Sequence, residues 1–260
     1  MSGFIIASFL VALILIFIIV YFAFFSKSTD SPKQNYKIKS EEWHIPFSKA
    51  YREMTQQEQI TRDKCPKFTK KGYKVGKLSP TLKKRLLDLW NTKNHLKTPE
   101  EVPHNVIWGT KTSGKELINH LDISKHDPVL EKDLENYVKD QLMQWANTEK
   151  LIHTATYGIR EYKRGATLKV HCDRYDTHVL SAILHIKHEQ DEPWSLSVWD
   201  HDNNKEEVYL NDNQDLVLYE SVSVMHGRPN PFRGDSYVNI FIHFTLPHWK
   251  EDMDKLLGKI

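Results

Sequence analysis

The chain has 260 residues, with 36 Lys and Arg against 34 Asp and Glu, and its formal net charge is +2. This near-neutral balance excludes a chain-wide basic surface, so no nucleic-acid partner is expected. Two cysteines are too few to build a disulfide scaffold. The length is sufficient for one sizeable domain.

The chain begins with a long apolar segment. From Phe4 to Phe25 it reads FIIASFLVALILIFIIVYFAFF, in which only Ser8 lies outside the hydrophobic residue types. A helix of this length would span about 33 Å, enough to cross a bilayer core. A cleaved signal peptide is the alternative, but no basic residue precedes the segment and its end is a poor cleavage site. We therefore predict an uncleaved signal anchor, a single transmembrane helix within residues 1–25, followed by a polar linker over 26–42.

The lysines after this segment bear on its orientation. Four of them follow it closely and favour a cytosolic body by the positive-inside rule: Lys27, Lys33, Lys37 and Lys39. The orientation of a single transmembrane anchor depends on more than the number of flanking lysines. The sequence therefore does not fix on which side of the membrane the body lies. The expected location is a membrane, with the endoplasmic reticulum or another endomembrane as the compartment. The sequence leaves the oligomeric state open.

Residues 43–150 are predicted to form a helical support. Helical spacing covers 47–62, and a second helix begins at Pro80 with Ser79 available as its cap. Apolar residues at helical spacing predict a third helix over 127–147. A short helix is expected over 114–121, and a helical tail over 248–260.

After Leu151 the chain consists of short β-rich segments separated by turn-rich ones. Strands are predicted at 152–160, 166–172, 178–187, 195–200, 206–210, 215–220, 222–226 and 236–245. Many short strands at this spacing are typical of a sandwich, jelly roll or barrel. The predicted fold class is mainly β with supporting helices, with the β core over 151–247.

Metal chemistry is suggested by the context of one short motif. His-x-Asp occurs twice, about as often as 14 histidines produce by chance, so the tripeptide alone carries no information. His120 closes the predicted helix at 114–121, whereas His171 ends an alternating strand segment. Residues two apart on a strand share a face, so His171 and Asp173 can reach one ion. His226, after two further strand segments, is available as a third ligand. Two imidazoles and one carboxylate are the ligand set of non-haem Fe(II) oxygenases.

These residues also carry a family resemblance. The chain resembles the catalytic domain of prolyl 4-hydroxylases over about 151–247, in the order of four motifs: Tyr157-Gly158-Ile159-Arg160-Glu161-Tyr162, His171-x-Asp173, His226-Gly-Arg-Pro and Gly234-x-x-Tyr237. Prolyl 4-hydroxylases belong to the Fe(II)- and 2-oxoglutarate-dependent oxygenases. The resemblance implies a double-stranded β-helix, or jelly roll, with Fe(II) held by His171, Asp173 and His226.

The same resemblance implies an activity. The chain would be a dioxygenase that couples oxidative decarboxylation of 2-oxoglutarate, to succinate and CO2, to hydroxylation of a peptidyl side chain such as prolyl. Fe(II) and 2-oxoglutarate would be its cofactor and cosubstrate, with ascorbate as an accessory reductant. The expected partner is a protein or peptide substrate.

One departure from the family pattern concerns the cosubstrate. The family has a Lys or Arg nine or ten residues after the second His, paired with the distal carboxylate of 2-oxoglutarate, and here Asp235 and Ser236 stand there. Arg228, Arg233 and Lys169 are the candidate replacements. Arg228 could offer a bidentate fork, and Lys169 should share the inward face of His171.

Further candidates line the predicted barrel. Tyr162 stands where the family often places a cosubstrate tyrosine, and His185 occupies a comparable position on the next strand. Hydrogen-bonded lining is the alternative role for both. His243 is interpreted as structural. Two other functions remain: a non-catalytic metal- or protein-binding module on the same barrel that has lost 2-oxoglutarate binding, and a metal cupin with another reaction.

Overall fold

A computed structural model describes residues 45–100, 107–108 and 117–260. The predicted anchor at 1–25 and the linker at 26–42 lie outside these residues. Within the described ranges, no helix is both long enough and apolar enough to cross a bilayer.

Two short helices open the described chain where one was expected over 47–62. Helix α1 covers Phe47–Arg52 and α2 covers Gln56–Lys64. The break falls at Thr55, whose hydroxyl accepts the Glu58 amide while the Glu58 carboxylate accepts the Thr55 amide. This reciprocal capping box starts a new helix, because it satisfies amides that would otherwise lack partners.

The longer helices follow the sequence predictions. Helix α3 (Pro80–Lys93) begins with proline in its first turn, and α5 (Pro128–Ala146) is capped by the Asp127 carboxylate. A four-residue helix, α4 (Ile123–His126), precedes α5, and α6 (Trp249–Leu256) lies near the C-terminus. A short 3-10 turn, Asn94–Leu96, follows α3.

Twelve antiparallel strands form two sheets in the described residues. They are β1 (Tyr73–Gly76), β2 (Thr98–Pro99), β3 (Ile107–Trp108), β4 (Ile118–Leu121), β5 (Ile152–Tyr162), β6 (Thr167–His171), β7 (Leu180–Gln190), β8 (Leu196–Trp199), β9 (Lys205–Val208), β10 (Leu216–Tyr219), β11 (His226–Arg228) and β12 (Gly234–Thr245). The larger sheet has the order β1-β10-β7-β12-β5-β4-β2, and the smaller β3-β6-β11-β8-β9. This mainly antiparallel, jelly-roll-like architecture confirms the predicted β class.

Two further sequence predictions of elements are wrong. The helix expected over 114–121 is in part strand β4, which pairs with β5 through Ile118 opposite Tyr162 and Leu121 opposite Ile159. Burial of Ile118 and Leu121 in different apolar clusters, on the two faces of the sheet, explains the strand. The strand expected over 222–226 is a turn whose pairing starts only at His226, because the Ser223 and Val224 amides bond back to the Glu220 carbonyl.

The core has two main layers. One apolar cluster joins α3, α5 and α6 to the outer face of the larger sheet, with members such as Leu86, Leu134 and Ile240. The second lies between the inner faces of the two sheets and contains Ile183, Val217 and Tyr237. The polar residues of the candidate site project into this second layer.

Candidate metal centre

His171 and His226 are brought together by strand pairing. They are register partners on β6 and β11, with ring centroids 4.5 Å apart. Asp173 follows β6, and its amide donates to the Ser221 carbonyl at 2.7 Å, which fixes the backbone of the loop. The three predicted ligands therefore meet at one point of the smaller sheet.

The glycine between His226 and Arg228 permits this pairing. A Cβ at Gly227 would lie 2.8 Å from the Lys169 carbonyl oxygen and 2.8 Å from the Val170 Cα. Both are backbone atoms that cannot yield without moving β6. Gly227 thus allows β11 to approach β6 closely enough to align the two imidazoles.

The donor atoms suit a metal ion. One ligand atom from each of His171, Asp173 and His226 lies within 4.8 Å of the others. Asp173 Oδ1 is 3.3 Å from His171 Nε2 and 3.8 Å from His226 Nε2. Adjacent ligands on a metal with bonds of about 2.1 Å are about 3 Å apart, so small side-chain movements complete the site.

Hydrogen bonds set the tautomers of both histidines. His171 Nδ1 lies 2.7 Å from the Lys169 carbonyl oxygen, and His226 Nδ1 lies 3.0 Å from that of Val224. A carbonyl oxygen only accepts, so Nδ1 carries the hydrogen in each neutral ring and Nε2 keeps its lone pair. Both Nε2 atoms face Asp173, and the two Nδ1–H bonds to backbone carbonyls are the outer-shell support that metal-binding imidazoles require.

The electrostatics of this point favour a cation. Burial alone would raise the pKa of Asp173, but His226, His171 and His243 hold it well below its usual range. Burial lowers the pKa of His226 to about 4 although Asp173 opposes this, so His226 is neutral at pH 7. Burial alone would lower the pKa of His171, but its hydrogen bond to Asp173 raises it. The buried carboxylate thus attracts positive charge, which a divalent cation can supply.

Arg228 lies on β11 two residues after His226 and is 2% exposed. Its guanidinium donates to the Trp194 carbonyl at 2.6 Å and to the Tyr237 hydroxyl at 3.2 Å. It also lies over the rings of Trp194 and Tyr237, 4.7 and 4.6 Å from their centroids. Within the described ranges no carboxylate pairs with it, so a buried positive charge is left for an anionic ligand.

The two residues at the family's cation position point elsewhere. Asp235 is exposed and pairs with Arg164 at 3.1 Å. Ser236 is buried and donates to the Glu161 carboxylate at 2.7 Å. Asp235 consequently does not place negative charge inside the barrel. Arg233, the other candidate in this loop, is 58% exposed and faces Glu192.

The remaining predicted residues have different surroundings. The Tyr162 hydroxyl is buried and has no hydrogen-bond partner of good geometry among the described residues. His185 is buried, 3.1 Å from Asn239 Oδ1 and 2.9 Å from His188 Nδ1. Lys169 is half-buried and donates to the Glu53 carbonyl at 3.4 Å. The roles assigned to these residues stay predictions.

Sequence reasoning did not assign several polar residues of the barrel interior to the site. Asn239 is buried, and its Nδ2 has no partner within the part of the chain that the structure describes. Burial raises the pKa of Tyr219 well above its usual value, and nearby Asp173 adds to the shift. Burial lowers the pKa of His243 to about 3, although Asp173 opposes this. The alternation of β12 was the available signal, since Asn239 and His243 share a face with Tyr237.

Comparisons with known proteins support the fold. No family model matches the chain, and neither does any curated protein. A prolyl hydroxylase from Trichoplax adhaerens, solved with a hypoxia inducible factor peptide fragment, matches with TM-score 0.50 and 14% identity, over 80% of this chain and 94% of that one. SnoN, a non-haem α-ketoglutarate-dependent epimerase of nogalamycin biosynthesis, matches with TM-score 0.52 and 10% identity, over 68% and 78%. The chain therefore has the fold that the resemblance implied, shared with a prolyl hydroxylase and with a non-haem α-ketoglutarate-dependent enzyme.

Proposed function

We propose that the chain is an Fe(II)- and 2-oxoglutarate-dependent dioxygenase that hydroxylates a peptidyl side chain, with prolyl as the first candidate and succinate and CO2 as co-products. The observation that carries this proposal is the convergence of His171 Nε2, His226 Nε2 and Asp173 Oδ1. Three protein ligands on one side of a metal leave positions for a cosubstrate and O2.

The surroundings of Arg228 support 2-oxoglutarate as the cosubstrate. The guanidinium is buried and has no acidic partner among the described residues, and two orphan polar groups, Tyr162 Oη and Asn239 Nδ2, belong to the same inner layer. A buried guanidinium without an acidic partner is costly, and a carboxylate would pair with it. A dicarboxylate could thus present one end to Arg228 and the other to the metal.

The protein's own contribution is positioning and exclusion of water. When bound, Fe(II) and 2-oxoglutarate would supply the oxidising chemistry. His171 and Asp173 would hold the metal at the mouth of the barrel, and Arg228 would orient the cosubstrate. The apolar inner layer, with Ile183 and Val217, keeps water from the reacting atoms.

A peptide substrate is consistent with the mouth of the site. The Trichoplax prolyl hydroxylase is described in complex with a peptide fragment. In the present chain Tyr157 is 41% exposed and its hydroxyl lies 3.0 Å from His178 Nε2. This partly open aromatic edge could lie against an extended peptide. With the anchor predicted over 1–25, the substrate would meet the enzyme at an endomembrane.

The test is turnover of 2-oxoglutarate by the purified chain with Fe(II), measured as succinate with a library of proline-containing peptides. Arg228→Gln should raise the dissociation constant of 2-oxoglutarate about 10- to 100-fold, because it removes a buried charge-assisted contact. Arg233→Gln is the matched control and should bind as the unaltered chain does.

His171→Ala should abolish succinate formation. Fe(II) binding without measurable 2-oxoglutarate affinity would contradict the proposal and favour a non-catalytic binding module. Absence of Fe(II) binding would exclude both the dioxygenase and a metal-binding module.

A further inference from the structure

Helix α1 packs on the outer face of the smaller sheet, on the side away from the metal centre. A third apolar cluster, separate from the two main layers of the core, joins the helix to this face. We call it the backing cluster, and its buried members are Ala50, Met54, Val170, Trp199 and Met225. Ala50 is the buried residue of α1 and is 0% exposed.

The sheet residues of the backing cluster are chain neighbours of the metal ligands. Val170 and Cys172, which packs on the cluster from its edge, flank His171. Met225 directly precedes His226. Successive residues of an extended chain point to opposite faces of a sheet, so these neighbours point outward where the two imidazoles point inward. A displacement of the outward side chains would therefore move the ligands.

Backbone pairing alone fixes the ligand strands only weakly. Strand β11 has three residues. Its register with β6 consists of His226 opposite His171 and Arg228 opposite Leu168, with an irregularity between the two pairs. On its other side β11 pairs with β8 through two residues. A ladder this short and irregular needs side-chain packing to define the relative position of its strands.

The backing cluster supplies this packing, because it bridges three adjacent strands. Val170 on β6, Met225 beside β11 and Trp199 on β8 meet there with Ala50. The Trp199 amide also donates to the Met225 carbonyl at 2.9 Å. Protein interiors are close-packed, so a strand that shifted under the helix would open a void or a clash. One helix packed across three strands consequently fixes their spacing.

Arg62 on α2 holds α1 in this place. Its guanidinium is buried and lies over the rings of Phe47 and Tyr51, 5.2 and 5.8 Å from their centroids. Its NH2 group donates to Asn203 Oδ1 at 2.6 Å, in the turn between β8 and β9. Arg62 thus joins α1 to the same sheet that the backing cluster supports.

We propose that Ala50 of α1 is a positioning residue of the metal centre, which fixes the spacing of His171 and His226 through Val170 and Met225. This inference rests on the proposed function, since it requires that the two histidines bind a metal. It gives the first helix of the N-terminal support a part in metal binding in addition to its part in folding.

The test uses Co(II) as the probe, titrated anaerobically into the purified full-length chain and followed by its visible absorption bands. Ala50→Glu places a charge in an apolar cluster and should displace α1. Because the imidazoles would lose their fixed spacing, Co(II) binding should weaken about 10- to 100-fold, as on loss of outer-shell support, and the bands should shift. In the metal-free variant, amide hydrogen exchange should accelerate in 168–172 and 224–228.

Two control variants separate positioning from charge and from stability. Ser48→Glu adds the same charge at an exposed position of the same helix, and should leave the Co(II) dissociation constant, the bands and the exchange rates unchanged. Leu86→Ala opens a cavity in the outer layer of the core, in a different cluster from α1. It should lower the unfolding temperature but leave the Co(II) dissociation constant and bands of the folded chain unchanged.

Unaltered Co(II) binding and bands in Ala50→Glu, or an equal loss in either control, would overturn the inference. If Ala50→Glu does not fold, Phe47→Ala decides, since it removes a partly buried ring from the backing cluster and adds no charge. Weaker binding with shifted bands in Phe47→Ala supports the role, and unchanged binding refutes it. No Co(II) binding by the unaltered chain would instead defeat the proposed function, and this inference with it.

Discussion

Arg228 offers a buried positive charge, whereas the family's cation position is occupied here by Asp235 and Ser236. Its guanidinium extends from β11 between the rings of Trp194 and Tyr237, so the charge is held by π contacts and two neutral acceptors. Lysine at this place would present a point charge without the planar fork, which is the geometry that matches a carboxylate. Ser236 is then free to donate its hydroxyl hydrogen to the Glu161 carboxylate.

His185 makes the stability of the protein depend on pH. Burial lowers its pKa to about 3. A hydrogen bond with Asn239 raises the pKa by a smaller amount, and the positive charge of His188 lowers it further. In the unfolded chain a histidine has a pKa of about 6.5. Below that pH the unfolded state binds a proton at this histidine and the folded state does not. The free energy of unfolding therefore falls as the pH decreases from about 6.5 towards 3. Between pH 7 and 5 we expect His185 to account for a loss of about 2 kcal/mol.

The measurement is urea unfolding of the unaltered chain and of His185→Gln at pH 7, 6 and 5. The variant should be less stable at pH 7 and show a shallower decline in unfolding free energy on acidification. His95→Gln, at an exposed histidine, is the control and should retain the original slope. Equal slopes for the unaltered chain and His185→Gln would show that His185 does not titrate in this way.

The sequence predicted the residues of the metal centre better than those of the cosubstrate pocket. His171 and Asp173 were found because strand alternation and chain order are visible in one sequence. Asn239 and Tyr219 were not assigned to the site, since strand alternation shows that a residue faces inward but not which inward polar group lacks a partner. Their surroundings come from β5, β7 and β12, which are distant in sequence.

At the scale of elements, alternation predicted the long strands β5, β7 and β12 closely, because each buries one or both faces over many residues. The short strand β4 was taken for a helix. A strand of four residues is too short to show a clear alternation, so its conformation depends on pairing with β5. No local pattern reveals a partner that is distant in sequence. The capping box at Thr55 was a local signal that split the first helix, and the sequence interpretation did not use it.

Helix α6 stabilises the loop that carries Asp173. Trp249 Nε1 donates to the Tyr175 carbonyl at 2.8 Å, and the Tyr175 hydroxyl donates to Asp254 at 2.7 Å. The Trp249 ring also packs on Phe68 at 5.6 Å. Trp249→Ala should lower the unfolding free energy by about 3–5 kcal/mol, since it removes a large buried ring and leaves a carbonyl unpaired. Amide hydrogen exchange in 172–178 should accelerate more than in β5.

The control for this prediction lies on the same helix. Leu256 is 45% exposed, so Leu256→Ala should cost less than about 1 kcal/mol and leave exchange in 172–178 unchanged. Equal exchange rates for that loop in Trp249→Ala and the unaltered chain would contradict the proposed support by α6.

At the scale of the whole molecule, the candidate metal centre connects the two sheets, which also pack on each other through the inner apolar cluster. His171 and His226 belong to the smaller sheet, Asp173 to the loop leading to the larger one, and α6 holds that loop from outside. A metal at this point would therefore act as a cross-link between the two sheets. Because the unfolded chain has no preformed site, binding free energy would be added to folding free energy.

Metal binding should thus raise the thermal stability of the chain. At a free Co(II) concentration 100 times its dissociation constant, the expected gain is about 2.7 kcal/mol, or roughly 5–10 °C in unfolding temperature for a domain of this size. Differential scanning calorimetry with EDTA and with Co(II) measures this shift. His171→Ala should abolish it, since two remaining ligands bind weakly. His120→Ala, in the other His-x-Asp tripeptide, should retain the full shift, because His120 lies on β4 away from His226. A shift that persists in His171→Ala but disappears in His120→Ala would place the metal at His120-Leu121-Asp122 and contradict the site described above.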